Sequence, residues 1–300
     1  MGSVSMDIPL FYSKRGSVMV MPSLNVLPPV FKKIRGRLIH VVHLPGQLST
    51  GPTVVFIHGI AATGSSWLPL IRCLRKRASQ FVIFDLPGHG LSGPADDGFT
   101  FEEAYYVTRD LLIREIEPES DTVLVGNSLG GAFAMKFSLE HPDLLSRAIL
   151  ISPAGAPFPW GAHAVLDPFL PHSLSEAQHL LRAIFVSHHF STRFLAPHIY
   201  YTTTRPGFLS FIRSMLEYDS DENSVIRQMI FKPEDLASCH IPVELIWGRQ
   251  DHVLPVEMRE FYDHYLPQSC RRIFPETFGH CPQFEEPEAL ASMMELRNEA

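Results

Sequence analysis

Residues 124–131 read LVGNSLGG, a G-x-S-x-G pattern centred on Ser128. The pattern directly follows the apolar run Thr122–Gly126 and directly precedes an amphipathic helical run, so it joins a predicted strand to a predicted helix. A turn this sharp puts its central residue in a strained backbone conformation. Side chains at Gly126 and Gly130 would collide with neighbouring backbone, which makes glycine a steric need there. The sequence therefore predicts that the Ser128 hydroxyl lies at the carboxyl edge of a sheet, beside a helix N-terminus.

Short apolar runs of this strand type recur along the chain from residue 37 and alternate with longer helical runs. Continuous apolar strands separated by helices are typical of a mostly parallel sheet that is covered on both faces. Between the strands, Thr100 and Glu103 form a capping box that begins a helix ending near Ile116, and a last helix begins near Pro287. We therefore predict an α/β fold. Its predicted strands are Leu38–Leu44, Val54–Ile57, Phe81–Asp85, Thr122–Gly126, Ala148–Ile151, Val243–Trp247 and Arg271–Phe274.

The alternation is interrupted by residues 153–241, which hold helical patterns without a convincing buried strand. We interpret this segment as an inserted helical cap, which leaves residues 37–152 and 242–300 as the α/β core. Residues 1–36 are interpreted as an irregular N-terminal arm, because prolines break them and no apolar period is sustained. The cap is rich in aromatic side chains, which either pack its helices together or line an apolar pocket. They include Phe158, Trp160, Phe169, Phe185, Phe190, Phe194, Tyr200, Tyr201, Phe208 and Phe211.

Composition excludes several classes of protein. At 300 residues, with 45% hydrophobic and 19% charged residues, the chain is long enough and apolar enough to bury a substantial core. Its formal charge of -7 opposes binding to nucleic-acid phosphates. The basic cluster formed by Lys32, Lys33, Arg35 and Arg37 is interpreted as a solvated entry to a strand. No nucleic-acid partner is expected.

Targeting signals are also weak. Spanning a bilayer takes about 20 consecutive apolar residues, and the N-terminal candidate, Val18–Met21, ends at Pro22 with no signal-peptide cleavage pattern behind it. The four cysteines are scattered and form no C-x-x-C pair, which suits a reducing compartment. We expect a cytoplasmic protein without a transmembrane segment, and leave open whether the N-terminal arm contacts a membrane surface.

Two further residues complete a catalytic pattern with Ser128. Serine is a weak nucleophile at neutral pH, so it needs a general base and a group that orients that base. Asp251 follows the strand ending at Trp247, and His280 follows the strand ending at Phe274. All three therefore lie at the carboxyl edge of the predicted sheet, in the order Ser, Asp, His. The alternatives are His252 as base, and Asp85 or Glu276 as acid, each less well placed.

Acyl transfer also needs backbone N–H groups that stabilise a developing oxyanion. The N–H of Leu129, directly after Ser128, is one candidate. The second candidate is the N–H of Ile60, in the loop His58–Gly64 that follows an earlier strand, and His58 itself is interpreted as a residue that shapes this loop. Such a mechanism requires no cofactor. The histidines of the cap show no H-E-x-x-H spacing, so no metal site is predicted.

From about Leu38 to the C-terminus, the chain resembles the α/β-hydrolase family. The resemblance rests on the Ser128 elbow, on the stretch DLPGHGLS at residues 85–92, and on the sequences around Asp251 and His280. It implies an α/β-hydrolase fold with a catalytic triad of Ser128, Asp251 and His280, an oxyanion hole at Leu129 and Ile60, and a cap domain. The expected activity is that of a serine carboxylesterase or lipase acting on a small-molecule ester, with an apolar substrate.

Within this family the resemblance leaves alternatives. Epoxide hydrolases and haloalkane dehalogenases carry a carboxylate where this chain has Ser128, which argues against both. The elbow with Asn127 is similar to that of meta-cleavage hydrolases, which cleave carbon–carbon bonds in vinylogous 1,5-diketones. This chain lacks their Gly-Pro-Gly run after Gly59, and Cys281 replaces the aromatic residue that usually follows their catalytic histidine. A non-catalytic ligand-binding protein is a third possibility, and the oligomeric state is open.

Overall fold

A mostly parallel sheet organises the part of the chain that the structure describes. This computed structural model describes residues 11–12, 18–19, 30–93, 100–186, 191–217 and 230–297. A pair of two-residue strands, β1 (Phe11–Tyr12) and β2 (Val18–Met19), runs antiparallel near the N-terminus. The main sheet consists of β3 (Val30–Ile34), β4 (Arg37–Pro45), β5 (Thr53–Ile57), β6 (Gln80–Phe84), β7 (Thr122–Asn127), β8 (Arg147–Ile151), β9 (Val243–Ile246) and β10 (Arg271–Ile273).

Helices flank this sheet and fill the segment between β8 and β9. In the described ranges they are α1 (Leu68–Leu74), α2 (Phe101–Glu115), α3 (Leu129–Glu140), α4 (Ala162–Leu166), α5 (Leu174–Ile184), α6 (Ser191–Thr203), α7 (Pro206–Glu217), α8 (Pro233–Ala237), α9 (Val256–Tyr265), α10 (Pro282–Glu285) and α11 (Pro287–Met293). The described residues between β8 and β9 hold helices and no strand. None of the helices described is long and apolar enough to cross a membrane.

The strand order creates a crevice at one point of the sheet. The order is β10–β9–β8–β7–β5–β6–β4–β3, with parallel pairing from β10 to β6 and antiparallel pairing of β6 with β4 and of β4 with β3. The chain leaves β5 for β6 on one side and returns to β7 on the other. Open α/β sheets bind ligands outside the carboxyl ends of strands at such a reversal. Ile57 pairs with Gly126 at the ends of β5 and β7, so the loops that follow these strands are neighbours.

Each face of the sheet has its own core, because successive side chains of a strand point to opposite faces. In β5, Val54 and Phe56 pack in the cluster that contains α1 and α11. Val55 and Ile57 pack in the cluster that contains α2, α3 and α7. Helices on both faces explain why β7 and β8 are buried along their whole length.

The predicted fold class is confirmed. All seven predicted strands are present, and no strand boundary differs from its prediction by more than one residue. One half of the predicted capping box forms: the Glu103 backbone N–H donates to the Thr100 hydroxyl oxygen over 3.2 Å, whereas the Glu103 carboxylate pairs with Arg37 at 2.9 Å. The helix ends one residue before Ile116. Apolar run length and capping chemistry were therefore sufficient signals for these elements.

The prediction that residues 1–36 form an irregular N-terminal arm is wrong at the carboxyl end of this segment. Val30–Ile34 forms the edge strand β3, which pairs antiparallel with β4. The two residues between these strands, Arg35 and Gly36, both have positive φ, 47° and 86°. Positive φ at both positions is what a two-residue hairpin loop of type I′ requires. The prediction missed the hairpin because Arg-Gly is a weaker turn signal than Asn-Gly. Apart from β1 and β2, the first 29 residues lie outside the described part.

The basic cluster before β4 is also more than a solvated strand entry. Three of its side chains form ion pairs with carboxylates of α2: Lys32 with Glu115, Arg35 with Asp110 at 3.0 Å, and Arg37 with Glu103 at 2.9 Å. The Arg35–Asp110 pair is exposed, and exposed pairs contribute about 0 to 1 kcal/mol each, whereas the other two pairs are partly buried. The three pairs join the β3–β4 hairpin to α2 and thereby orient it on that helix.

Candidate active site

Ser128 occupies the turn between β7 and α3. Its backbone angles are φ 55° and ψ −118°, a conformation that non-glycine residues rarely adopt. A Cβ atom on Gly126 would lie 2.2 Å from the carbonyl oxygen of Gly130, and one on Gly130 would lie 2.1 Å from that of Ile57. These distances are shorter than any van der Waals contact, so the turn forms only with glycine at both positions. Ser128 is nevertheless 7% exposed, and its side chain reaches a cavity above the sheet.

Asp251 and His280 lie against one another. The Nδ1 atom of His280 lies 2.8 Å from Oδ2 of Asp251, and the two side chains are 4% and 2% exposed. The other carboxylate oxygen, Oδ1, accepts hydrogen bonds from the backbone N–H groups of Val253 at 2.9 Å and Leu254 at 3.1 Å. Each oxygen of Asp251 therefore has its own partners, and the carboxylate is held in one orientation.

The protonation states follow from these contacts. Burial by itself would raise the pKa of the Asp251 carboxyl, but the His280 ring and the two backbone N–H groups lower that pKa below its ordinary value on balance. An ionised carboxylate only accepts hydrogen bonds, so Nδ1 of His280 carries the proton. The Nε2 atom of the neutral ring then presents a lone pair. A general base for a serine hydroxyl needs this tautomer.

The two predicted oxyanion donors flank Ser128. Ile60 and Leu129 line the same cavity as the serine. Leu129 is the first residue of α3, where a helix offers no acceptor for the backbone N–H. A Cβ atom on Gly59 would lie 3.1 Å from Cβ of Ser128, so the loop that carries Ile60 passes directly beside the serine. Their donation to a developing oxyanion stays a prediction.

Both ring nitrogens of His58 are hydrogen-bonded to backbone groups. It is fully buried, its Nε2 accepts the Leu86 N–H over 2.8 Å, and its Nδ1 donates to the Gly59 carbonyl over 2.8 Å. Burial lowers its pKa, which keeps the ring neutral. These contacts tie the loop after β5 to the loop after β6, and they agree with the loop-shaping role expected of this residue.

The alternative acids and base have other surroundings. The Asp85 carboxylate accepts the backbone N–H groups of Gly64 and Leu91, each at 2.8 Å, and Nδ1 of His40 at 2.9 Å, so it organises the loop after β6. The Glu276 side chain is 79% exposed and pairs with Arg249. His252 is exposed, and the Asp251 carboxylate is hydrogen-bonded to His280, Val253 and Leu254 instead. The structure thus brings Asp251 together with His280 rather than with any alternative base.

The cavity beside Ser128 is small and apolar. Its volume is about 40 Å³. Ser128 carries the one polar side chain among the described residues that line it, and no charged side chain is present among them. Part of the lining comes from the core and part from the segment between β8 and β9. The lining residues are Ile60, Phe101, Ser128, Leu129, Ala132, Ala154, Gly155, Phe158, Val165, Leu166, Phe169, Met215, Ile230, Val253 and Leu254.

The aromatic side chains of the inserted segment divide between the two expected roles. Phe158 and Phe169 line the cavity. Phe208 and Phe211 instead pack edge-on against the buried ring of His89, with centroid distances of 5.5 and 5.6 Å. Other members lie at the surface, such as Trp160 with 67% of its area exposed. The side chains of residues 190 and 194 lie outside the described part.

The described histidines of this segment do not form a group that could hold a metal ion. His163 pairs with Asp167 at 3.0 Å on an exposed surface. Across the described ranges, no group of three or more His, Cys, Asp or Glu side chains is placed to hold a metal ion. His188 and His189 lie outside those ranges.

Sequence reasoning missed the role of the Asn127 side chain. Its Nδ2 donates to the carbonyl oxygens of Ile151 at 3.1 Å and His280 at 3.0 Å. Its Oδ1 accepts a hydrogen bond from Nε2 of Gln283 at 3.0 Å and a weaker one from Sγ of Cys281 at 3.6 Å. The side chain is buried, and Asn127 does not line the cavity. No spacing rule links residues more than 150 positions apart, so the sequence offered no signal for these contacts.

Comparisons with known proteins define the family. The model of the alpha/beta hydrolase family matches residues 54–293 of this chain. The chain therefore belongs to the alpha/beta hydrolase family, and the resemblance drawn from its motifs is confirmed. The matched region contains Ser128, Asp251 and His280.

Relatives within the family carry different activities in their names. The chain is similar to monoacylglycerol lipase abhd6-B of Xenopus laevis, with 28% identity over 264 residues covering 83% of this chain and 76% of the relative. It is also similar to 2-hydroxy-6-oxo-6-(2'-aminophenyl)hexa-2,4-dienoic acid hydrolase of Metapseudomonas resinovorans, with 26% identity over 266 residues covering 82% and 83%. Its fold matches the solved structure of a meta-cleavage product hydrolase from Pseudomonas fluorescens IP01, with a TM-score of 0.73, 21% identity and coverage of 88% and 95%. The comparisons therefore define the family, within which the relatives' names divide between a lipase and carbon–carbon bond hydrolases.

Proposed function

We propose that this protein is a serine hydrolase that cleaves carboxylic esters with a neutral, apolar acyl group. Ser128 is the nucleophile, His280 the general base and acid, and Asp251 the residue that orients His280. The backbone N–H groups of Ile60 and Leu129 form the oxyanion hole. The observation that carries the proposal is the apolar lining of the cavity beside Ser128.

The reaction has two steps. His280 Nε2 takes the Ser128 proton as Oγ attacks the ester carbonyl carbon, and the tetrahedral oxyanion is held by the two N–H groups. The imidazolium, stabilised by Asp251 at 2.8 Å, then gives its proton to the leaving alcohol and an acyl-enzyme remains. A water molecule, activated by the same base, hydrolyses the acyl-enzyme and restores the serine. The chain's own residues supply every proton transfer.

The cavity lining favours an ester over the carbon–carbon bond of a dienoic acid. An acid of that kind is a carboxylate at neutral pH, and burying a carboxylate costs several kcal/mol unless a cation or hydrogen-bond donors receive it. The described residues lining the cavity offer no Lys, Arg or His side chain. Asn127 is the residue that makes the elbow similar to that of the carbon–carbon hydrolases. Its side-chain amide is hydrogen-bonded to two backbone carbonyl oxygens and to Gln283. A neutral acyl chain meets no such penalty.

The inserted segment 153–241 acts as a cap in this proposal. A cavity of about 40 Å³ holds little more than a water molecule, whereas small-molecule sites are typically about 300 to 1,000 Å³. Phe158, Val165, Leu166 and Phe169 contribute to its walls from this segment. Substrate entry therefore requires these side chains to move away from Ser128, as the lids of many enzymes do.

Covalent labelling tests the proposal. The wild-type protein should form a fluorophosphonate adduct that Ser128→Ala abolishes, and it should hydrolyse p-nitrophenyl esters. A 2-hydroxy-6-oxo-hexadienoate, assayed in parallel, tests the alternative of carbon–carbon cleavage. This alternative is included because one of the relatives is named as a dienoic acid hydrolase. Turnover of the dienoate without turnover of any ester would replace the proposed function by that alternative. The absence of any Ser128-dependent adduct would point to a non-catalytic binding protein.

A further inference from the structure

The Asn127 amide uses all of its hydrogen-bonding capacity inside the protein. A side-chain amide has two N–H donors and two acceptor lone pairs. In Asn127 both donors meet backbone carbonyl oxygens, and Oδ1 accepts from Gln283 and Cys281. The residue is 1% exposed. Nothing of this amide is left to contact a substrate.

The partners of this amide connect the nucleophile to the base. Asn127 immediately precedes Ser128 at the end of β7. One of its N–H groups reaches the carbonyl oxygen of His280, 153 positions later, over 3.0 Å. The other reaches Ile151 at the end of the neighbouring strand β8 over 3.1 Å. One side chain therefore bridges the strand that carries the serine and the backbone that carries the histidine.

A second contact holds the His280 backbone from the other side. Its N–H donates to the carbonyl oxygen of Ile184, at the end of α5, over 3.2 Å. The peptide groups on both sides of the His280 Cα atom are thus hydrogen-bonded, and the ring is hydrogen-bonded to Asp251. Among the hydrogen bonds of the described residues, the one from Asn127 is the only one that joins His280 directly to β7.

Gln283 fixes which way the Asn127 amide points. The Nε2 group of Gln283 donates to Oδ1 of Asn127 over 3.0 Å, so an inverted amide would face this donor with a second donor. Inversion would also place Oδ1 against the carbonyl oxygens of Ile151 and His280. Gln283 itself is 2% exposed and lies in α10, directly after the His280 loop.

We propose that Asn127, oriented by Gln283, is a positioning residue that holds His280 at the distance from Ser128 needed for proton transfer. The inference rests on the proposed function, since it concerns the same serine and histidine. It predicts that loss of the amide lowers the chemical rate while leaving substrate binding largely intact, because the cavity walls are made by other residues.

The decisive variant is Asn127→Leu, which is close to isosteric and removes all four hydrogen bonds. A misplacement of about 1 Å of a catalytic group costs about 100-fold in rate. We expect kcat on a p-nitrophenyl ester to fall about 100-fold with KM within about twofold of wild type, and the rate of fluorophosphonate labelling to fall in parallel. Gln283→Leu removes the donor that orients the Asn127 amide, although the hydrogen bond from Asn127 to His280 can still form. We therefore expect kcat to fall about three- to tenfold.

Thr108→Val is the matched control. It is also close to isosteric and removes a buried hydrogen bond, from the Thr108 hydroxyl to the Ala104 carbonyl at 2.7 Å, within α2. Urea unfolding of each variant measures the loss of stability, and the downfield proton resonance of His280 Nδ1 reports its bond to Asp251. A positioning role predicts a displaced or broadened resonance in Asn127→Leu and an unchanged resonance in Thr108→Val.

The outcomes separate the two proposals. If wild type is labelled and Asn127→Leu keeps kcat within threefold of Thr108→Val, the positioning role is refuted while the proposed function stands. If Asn127→Leu does not fold, Gln283→Leu decides: a kcat equal to that of Thr108→Val refutes the inference. If the wild-type serine takes no adduct, the proposed function fails and this inference fails with it.

Discussion

The Asp251→Asn substitution has an effect that can be worked out from hydrogen-bond directions. Oδ1 of Asp251 accepts two backbone N–H groups, from Val253 at 2.9 Å and from Leu254 at 3.1 Å. In the asparagine variant the amide oxygen must keep this position, since an NH₂ group there would face two donors. The new NH₂ group therefore points at Nδ1 of His280, which can then only accept. The ring is forced into the tautomer that carries its proton on Nε2.

That tautomer cannot take the Ser128 proton. A loss of this kind lowers kcat by about 10⁴, which corresponds to about 5 kcal/mol of transition-state stabilisation. Because Asp251 does not contact the acyl group in the proposed mechanism, KM should change by less than about threefold. Burst and steady-state kinetics with a p-nitrophenyl ester measure both quantities, and circular dichroism checks that the variant is folded.

Glu276→Gln is the matched control for this substitution. Glu276 lies in the loop after β10, at the same edge of the sheet, but its side chain is 79% exposed and forms an ion pair with Arg249. We expect its kcat to remain within twofold of wild type. An Asp251→Asn protein that keeps more than a tenth of the wild-type kcat would refute the assignment of Asp251 and the tautomer argument behind it.

Two further predictions concern the cavity and a buried histidine. Ala132→Leu adds bulk to the cavity wall, so it should disfavour long acyl chains. The ratio of kcat/KM for the acetyl ester to that for the octanoyl nitrophenyl ester should rise about tenfold, which corresponds to the free energy of burying roughly two methylenes. An unchanged ratio would show that the acyl chain lies elsewhere. Burial lowers the pKa of His89 to about 3, so the folded state resists protonation of this ring. The free energy of unfolding should therefore fall as the pH drops from about 6.5 toward 3, by at most about 1.4 kcal/mol per pH unit. Urea titrations at pH 7 and pH 5 should show a shallower loss in His89→Phe than in wild type, and equal losses would contradict this.

The sequence was informative where one residue's chemistry determined the local backbone. The glycines at 126 and 130 predict the turn at Ser128, because a Cβ atom at either position meets backbone at 2.2 Å or less. The apolar runs predict strand limits to within one residue, because helices on both faces bury those strands completely. The placement of Asp251 and His280 at one edge then follows from parallel pairing, which brings the ends of β9 and β10 together.

Features that depend on contacts between distant segments were not predictable. The edge strand Val30–Ile34 alternates too weakly to be recognised alone, and it forms because β4 offers it a partner. The bonds from Asn127 to His280 and Gln283 cross more than 150 positions. Sequence composition likewise could not tell that Phe158 and Phe169 reach the cavity while Phe208 packs on His89.

The bond that this site cleaves is decided by the surroundings of the triad rather than by the triad. Ser128, Asp251 and His280 would serve an ester and a vinylogous diketone alike, since both reactions pass through an oxyanion on a carbonyl. The two substrates differ in what must be buried with that carbonyl. An acyl chain gains about 0.8 kcal/mol for each methylene buried, whereas a dienoate loses several kcal/mol when its carboxylate enters a site without a cation. In the proposed function, walls built from Phe158, Leu166 and Met215 would therefore favour the ester, by an amount that grows with each carbon of the acyl chain that they bury.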